Sequence, residues 1–435
     1  MEETKRGIRV YKLVGILLFL YAIVSYFDRL VIALAGPQLI KEFGWSQTSL
    51  GTIFSAFGVG YMITQIPGGW FADRFGARKI FIYGGLGWAI TTGLIPFVRS
   101  FSLMVVLRGL LGVAEGAYFP SATSALGRWI PKKSHSYYVG LLFSGNKMGS
   151  LIATPLMAWM IASYGWKVPF WFCGVLSLLM VFVWVFFFKD DPSQHPMVSR
   201  VELEEIREGK DTTQVKAEKN KAKVSPLREY PVIWIYGLAF FFLTYAIWFN
   251  LTWLPTYLVT GKGFTIIKMG LWAMLPFMGE FIGLQGGGWL SDKLIARGVA
   301  VNVARNGIIY TSWLLGSIIY FSASNATSGV LAVILIAVSV MLFNVGGSPF
   351  MTFPLDISKE NAGVLLGVIT TGGAVSAIVS PLVAGYLAEN YSWDAALLVG
   401  AIAPVVAAAL VFIAGIIRSK AKPAEQDVIF TDRLS

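Results

Sequence analysis

Long runs of apolar residues, separated by short polar stretches, recur along almost the whole chain. A helix that crosses about 30 Å of hydrocarbon needs roughly 20 mostly apolar residues. This length predicts spans near 13–35, 49–72, 80–99, 102–125, 137–163, 168–188, 231–258, 268–291, 304–323, 328–351, 362–389 and 395–417. We therefore expect an all-α integral membrane protein with twelve transmembrane helices.

The composition supports a membrane protein and excludes soluble classes. Of the 435 residues, 56% are hydrophobic and only 14% are charged, whereas a soluble domain carries about 25% charged residues. A single cysteine, Cys173, and two histidines, His135 and His195, cannot form an intrachain disulfide or a zinc site. We expect no metal site and no cofactor.

The net charge of +11 follows from membrane topology rather than from nucleic-acid binding. Apart from three basic residues inside the spans, only Lys41, Arg99, Lys167, Lys262 and Lys268 lie on the side opposite the termini. The other lysines and arginines share the side of both termini. Because positive loops stay in the cytoplasm, we expect cytoplasmic termini in a multi-pass protein of the cell (inner or plasma) membrane.

One hydrophilic stretch divides the chain into two halves. Residues 189–230 are predicted to be a charged cytoplasmic linker between a six-helix half at 1–188 and another at 231–417, with a cytoplasmic tail at 418–435. GGWFADRFGAR at 68–78 recurs as GGWLSDKLIAR at 287–297, at the end of the second span of each half. Such duplication predicts two pseudo-symmetric halves with a substrate site between them.

Several motifs resemble a known family of transporters. GGWFADRFGARK at 68–79 is similar to the loop signature of the major facilitator superfamily. YFDR at 26–29, RGLLGVAEGAYFPS at 108–121, RWIPKK at 128–133 and WLPTYL at 253–258 resemble its anion:cation symporter branch, which includes hexonate and hexuronate carriers. The resemblance covers the whole chain and implies the major facilitator fold.

Six ionisable residues fall inside the predicted spans: Asp28, Arg29, Arg108, Glu115, Lys147 and Glu280. Each charge in hydrocarbon costs about 2.5–3.5 kcal/mol, which favours a functional reason for its presence. The span boundaries put Asp28, Arg29 and Arg108 at one depth, about six or seven residues from the ends of spans 1 and 4 away from the termini, with Glu115 about two turns further along span 4.

These residues predict a polar cavity in the N-terminal half. Arg29 suits a carboxylate ligand, burial disfavours the charged forms of Asp28 and Glu115, and Arg108 is expected to pair with one of these acids. A static cluster that pins spans 1 and 4 together is the alternative.

The family resemblance assigns roles to the charged and aromatic residues. It implies that Asp28 and Glu115 couple protons and that the substrate-binding set includes Tyr26, Arg29, Tyr61 and Arg108. We add Asn146 and Lys147, on span 5, to the predicted substrate-binding residues.

A second group of polar residues lies at the membrane surface. The resemblance implies that Asp73, Arg74 and Arg78 latch helix ends as a gate, with Asp292 as the second copy. A capping aspartate among topogenic charges is the alternative.

Two residues depart from the pattern of the resembled branch. Lys147 on span 5 and Glu280 on span 8 are predicted to pair across the interface between the halves, either as an interdomain ion pair or as a substrate-sensing cation with its counter-ion.

In the C-terminal half, the expected cavity residues are Tyr245, Asn250, Trp253, Asn344, Ser348, Thr370 and Thr371, each of which also suits helix packing.

These observations predict a monomeric secondary transporter in the bilayer that imports a small organic anion, such as a sugar acid, by proton symport through alternating access. An organic-anion exchanger or uniporter, and a proton-coupled exporter, are the alternatives. The chain has no GxSxG, HExxH or GxxxxGK[ST] motif, so we do not expect an enzyme.

Overall fold

The computed structural model describes residues 9–208, 230–358 and 361–421, apart from the side chains of Ile66, Asp73, Leu355, Asp356, Ala362, Gly363 and residues 418–421. Parts of the predicted linker and tail, 209–229 and 422–435, therefore lie outside the described residues.

The N-terminal half contains eight described helices, including one short helix of the linker. They are α1 (Val10–Phe43), α2 (Gln47–Phe75), α3 (Ala77–Leu94), α4 (Phe101–Gly116), α5 (Tyr118–Trp129), α6 (His135–Tyr164), α7 (Lys167–Phe187) and the short α8 (Arg200–Arg207). Because α5 continues α4 with only Ala117 between them, the two form a single span.

The C-terminal half follows the same order of long helices. Its described helices are α9 (Val232–Thr256), α10 (Ile266–Ala296), α11 (Val301–Ser324), α12 (Gly329–Phe350), the short α13 (Phe353–Ile357), α14 (Ala362–Asn390) and α15 (Trp393–Ala421). A π-helical turn, Tyr257–Gly261, extends α9.

The described helices account for the twelve predicted spans. Ten helical segments, with α4 and α5 counted together, are long and apolar enough to cross a membrane by length and composition. The other two spans are α2 and α6, which have 29 and 30 residues. The fold is therefore the all-α, twelve-helix membrane architecture that the sequence predicts.

One predicted boundary is wrong. Span 1 was expected to end near residue 35, but α1 continues to Phe43, with Pro37 inside it. It ends where Gly44 adopts a positive φ of 66° and its amide donates to the Ile40 carbonyl, a conformation that glycine reaches without steric cost. Asp28 and Arg29 therefore lie near the middle of α1 rather than close to its end.

Glycines let equivalent helix pairs pack closely in both halves. A Cβ atom on Gly112 of α4 would lie 2.1 Å from the carbonyl oxygen of Phe57 on α2. In the second half, a Cβ on Gly283 of α10 would lie 2.1 Å from the Met341 carbonyl oxygen on α12. Only a residue without a side chain allows backbones to approach this far.

The two halves are joined mainly at one end of the bundle, which we call the far side because it lies opposite the chain termini. There Ser55 Oγ donates to the Ile378 carbonyl at 2.6 Å, and the Thr48 amide donates to Glu389 at 2.8 Å. A buried hydrophobic cluster crosses between the halves and includes Leu34.

Toward the terminal side, a second hydrophobic cluster is built from the N-terminal half alone. It includes Tyr21, Trp88 and Trp184, and Trp248 of α9 packs against it from the other half. The bundle is thus closed between its halves on the far side.

The close packing of α2 and α4 predicts a strong dependence on Gly112. Gly112→Ala places a methyl group against an immobile backbone carbonyl, so we expect about 1–3 kcal/mol of destabilisation and a lower melting temperature of the purified protein in detergent. Gly127→Ala is the matched control, because nothing lies within 4 Å of its new Cβ. Equal melting temperatures for the two variants would contradict this packing.

Candidate functional site

An ion pair between α1 and α4 forms the centre of the site. Arg29 Nη2 lies 2.8 Å from Glu115 Oε2, and Arg29 Nε lies 3.3 Å from the same oxygen. The side chain of Glu115 is fully buried, whereas that of Arg29 is 11% exposed. The cation therefore has the more accessible position, and the carboxylate lies behind it.

Aromatic rings surround the Arg29 guanidinium. Its Cζ lies 4.8 Å from the ring centroid of Tyr26 and 5.0 Å from those of Phe57 and Tyr61. The one-turn spacing from Tyr26 to Arg29 on α1, and from Phe57 to Tyr61 on α2, brings the rings to the same guanidinium. Ring faces attract a cation without neutralising it, so Arg29 stays available to an anion.

Arg108 differs from the sequence-based expectation, because no carboxylate of the described chain lies within salt-bridge distance of it. Its guanidinium packs over the Phe57 ring at 5.0 Å, and the residue is 2% exposed. Within the described residues, its Nε and Nη1 have no hydrogen-bond partner. The expected ion pair is wrong in this conformation: Glu115 lies against Arg29, and each of the two guanidinium groups lies 5.0 Å from the Phe57 ring centroid.

Asp28 is fully buried on the opposite face of α1 from the aromatic rings. Ser177 Oγ of α7 donates to Asp28 Oδ2 at 2.7 Å, and Oδ1 has no hydrogen-bond partner in the described part of the chain. Burial of a carboxyl group away from water is costly unless hydrogen bonds or an opposite charge compensate it. Asp28 and Glu115 thus lie in two different environments.

Lys147 and Glu280 meet across the boundary between the halves. Lys147 Nζ of α6 forms an ion pair and hydrogen bond with Glu280 Oε2 of α10. Beside Lys147, Asn146 is buried, and its Oδ1 has no partner among the described groups. The structure thus brings together Lys147 and Glu280, the two residues that differ from the pattern of the resembled branch. Their role in transport stays a prediction.

Among the predicted gate residues whose side chains the structure describes, Arg78 makes contacts within the N-terminal half. The Arg78 amide donates to Asp190 Oδ1 at 3.0 Å, and Arg78 Nη2 donates to the Val185 carbonyl at 2.6 Å. Both contacts tie α3 to the end of α7 within the N-terminal half. Gly76, with φ of 91°, is required at this point because a Cβ would lie 2.2 Å from Asp190.

Two other gate residues with described side chains, Arg74 and Asp292, lie in different surroundings. Arg74 packs over the Trp70 ring at 5.1 Å, and Asp292 is exposed. The side chain of Asp73 lies outside the described part of the structure. The gating role of all four residues stays a prediction.

In the C-terminal half, two of the expected cavity residues serve packing in this conformation. Asn250 accepts from the Tyr320 hydroxyl at 3.4 Å and donates to the Ala246 carbonyl at 2.7 Å. Trp253 Nε1 donates to the Pro381 carbonyl at 2.9 Å. Tyr245 is buried, Asn344, Ser348 and Thr370 are partly exposed, and Thr371 is exposed.

Two residues of the site were missed by the sequence analysis. Phe57 contacts both Arg29 and Arg108, and its spacing four residues before Tyr61 could have indicated a shared helix face. Ser177, which holds Asp28, is one serine in an apolar run, and nothing in the sequence distinguishes it from a packing residue.

The chain matches the model of the Major Facilitator Superfamily over residues 18–381. It is 35% identical to a probable sulfoacetate transporter of Cupriavidus necator, with 93% of each chain covered. It is 33% identical to a probable galactarate/D-glucarate transporter of Escherichia coli K12, over 96% of this chain and 98% of that one.

Solved structures share the fold at low sequence identity. A bacterial homologue of the human lysosomal transporter Spinster, in an inward-facing and unoccupied conformation, has a TM-score of 0.79 at 16% identity, over 97% of this chain and 100% of that chain. A D-xylose-proton symporter has a TM-score of 0.70 at 14% identity, over 92% and 97%.

The Lys147–Glu280 pair predicts rescue by charge exchange. Lys147→Glu or Glu280→Lys alone leaves two like charges facing each other in a buried position, so we expect a loss of transport of at least about tenfold. The double variant restores opposite charges and is expected to recover much of the transport rate. A double variant no better than either single variant would contradict the pairing.

Proposed function

Since the chain belongs to the Major Facilitator Superfamily and is therefore a membrane transporter rather than an enzyme, we propose that it imports a small organic anion together with protons by alternating access. The single observation that carries this proposal is the buried Arg29–Glu115 pair with its cation on the accessible side. The proton is the only coupling ion in this account.

The geometry around Arg29 supports binding of an acid group. A guanidinium offers parallel N–H donors that match a carboxylate or a sulfonate. An incoming anion can replace Glu115 at Arg29, and Tyr26 and Tyr61 can contact the rest of the substrate. Arg108, with two donors that lack partners in the described chain, adds positive potential on the other side of Phe57.

Charge balance explains why protons accompany the anion. Glu115 displaced from Arg29 would be a buried carboxylate without a counter-ion, and such a group takes up a proton because an isolated buried charge is costly. Asp28, which is also fully buried, is a second carboxyl group that can take up a proton. Loading of anion and proton together keeps the site close to neutral while the halves move.

The arrangement of contacts supports an orientation. With the termini in the cytoplasm, as the lysine and arginine distribution favours, the closed far side faces outward. The described conformation then corresponds to an inward-facing carrier in the plasma membrane, and the Arg78–Asp190 contacts lie on the cytoplasmic side.

The relatives support the class of substrate. The names of two of them specify sulfoacetate and galactarate or D-glucarate, and a third, at 29% identity, is a D-galactonate transporter. All of these substrates are small organic acids that are anions at neutral pH. We therefore propose an organic anion of this kind, bound through an acid group at Arg29.

The experiment is uptake into proteoliposomes that contain an internal pH dye, with an outside pH of 6 and a panel of organic acids. We expect one or more acids to acidify the lumen. Asp28→Asn and Glu115→Gln are expected to reduce this signal by at least about tenfold, because each removes a proton-binding group. Asp394→Asn, an exposed acid at the start of α15, is the matched control.

Other outcomes of the same experiment point to the alternatives. Anion counterflow without lumen acidification, tolerant of Asp28→Asn, indicates an exchanger or uniporter and contradicts proton coupling. Acidification only when the acid is loaded on the cytoplasmic side indicates an exporter and contradicts import.

A further inference from the structure

Two ion pairs of this protein share one design. In the pair between Arg29 and Glu115, the side chains are 11% and 0% exposed. In the pair between Lys147 and Glu280, they are 23% and 4% exposed. In each case the cation is the accessible member, and the acid is buried behind it.

The two cations lie on helices that pack together at one tyrosine. Arg29 lies over the Tyr26 ring at 4.8 Å, and Lys147 precedes by two residues the position at which α6 packs against Tyr26. Glycines on α6 make this possible, since a Cβ on Gly149 would lie 3.0 Å from the Tyr26 Cβ. Arg29 and Lys147 therefore lie on two helices, α1 and α6, that pack against each other at Tyr26.

Packing between α6 and α10 does not require an ion pair. Toward the far side, small residues close this interface: a Cβ on Gly270 would lie 2.1 Å from the Ala158 Cβ and 3.0 Å from the Thr154 carbonyl. A buried ion pair adds little stability once the cost of removing both charges from water is counted. Lys147 and Glu280 are thus free to serve another purpose than holding the helices together.

We propose that Lys147 is a second anion subsite and that the transported substrate is a dianion. One acid group of the substrate binds Arg29, the other binds Lys147, and each displaces the carboxylate that the cation contacts in the described conformation. This inference rests on the proposed function, because it assumes an anion at Arg29. A monoanion satisfies Arg29 alone and leaves Lys147 paired with Glu280.

Displacement of Glu280 from Lys147 also breaks the ion pair that connects α6 of one half to α10 of the other. A dianion held at Arg29 and Lys147 bridges α1 and α6, both in the N-terminal half, and releases α10 of the other half. Substrate binding is in this way linked to relative movement of the halves.

The test compares acids that differ in one acid group. Sulfoacetate is paired with methanesulfonate, and D-glucarate with D-gluconate, and kcat/KM is measured for each in proteoliposomes. The native protein is expected to prefer the dianion of each pair. Lys147→Gln is expected to raise the KM of the dianion by about tenfold to a hundredfold, the size of one lost charge-assisted hydrogen bond, and to leave the monoanion nearly unchanged.

The Glu280→Gln variant distinguishes an anion-binding role of Lys147 from a purely structural role of the Lys147–Glu280 pair. It frees Lys147 from its competitor, so the dianion is expected to bind more tightly than in the native protein. If the pair only holds the halves together, both variants lower the transport of dianions and monoanions equally, and the proposal is wrong. Lys268→Gln, an exposed lysine of α10 near its start, is the matched control.

The double variant Lys147→Gln with Glu280→Gln guards against misfolding, since it leaves no charge unpaired. It is expected to fold and to transport, with its preference for the dianion lost, and a retained preference overturns the proposal. If transport of an anion requires Arg29 but the preference for the dianion is unchanged in Lys147→Gln, the proposed role of Lys147 fails and the proposed function stands. If the native protein moves no acid of the panel, the proposed function fails with it.

Discussion

The cost of burying charge is the constraint on which the arrangement of this protein depends. Removing a carboxylate or guanidinium from water costs several kcal/mol, and the bundle buries such groups on α1, α4, α6 and α10. Arg29 and Glu115 neutralise each other at 2.8 Å, and aromatic rings take the remaining faces of Arg29. Asp28 is fully buried and accepts a hydrogen bond from the Ser177 hydroxyl. The Arg29–Glu115 pair is therefore neutral as it stands, and an anion that displaces Glu115 leaves a buried carboxylate whose charge must be compensated.

The same constraint connects the site to the movement of the halves. Small residues close the far side by backbone contact, as at Gly51, whose Cβ would lie 2.6 Å from the Pro381 carbonyl oxygen. Such contacts carry no charge, so they neither favour nor resist an anion. The polar contact between α6 and α10 near the site is of a different kind. Because Lys147 can exchange its contact with Glu280 for a contact with substrate, binding of substrate can change how the two halves are held together.

Most of the fold could be predicted from the sequence, and the site only in part. Apolar length sets the spans, so eleven of the twelve predicted spans agree closely with the helices. Span 1 was cut short because Pro37 and the polar residues after it, through Lys41, imitate a loop. The charged residues were recognisable because hydrocarbon penalises them.

Which residues lie in the site could be predicted more easily than which of them contact each other. Glu115 lies on the same helix as Arg108 but pairs with Arg29 of α1. Which arginine contacts which acid depends on side-chain rotamers and on the position of Phe57 beside both guanidinium groups. Lys147 and Glu280 were predicted to meet because each stood out against the pattern of the resembled branch. Ser177 carried no such signal.

The measurement that tests the central claim most directly is proton uptake upon anion binding in detergent solution. Purified protein in unbuffered medium at neutral pH, with a pH dye, is titrated with the acid that gives the largest uptake in proteoliposomes. If the anion displaces Glu115 from Arg29, binding takes up protons, and Glu115→Gln binds the anion with fewer protons. Anion binding without proton uptake, or with the same uptake in Glu115→Gln, would contradict the account.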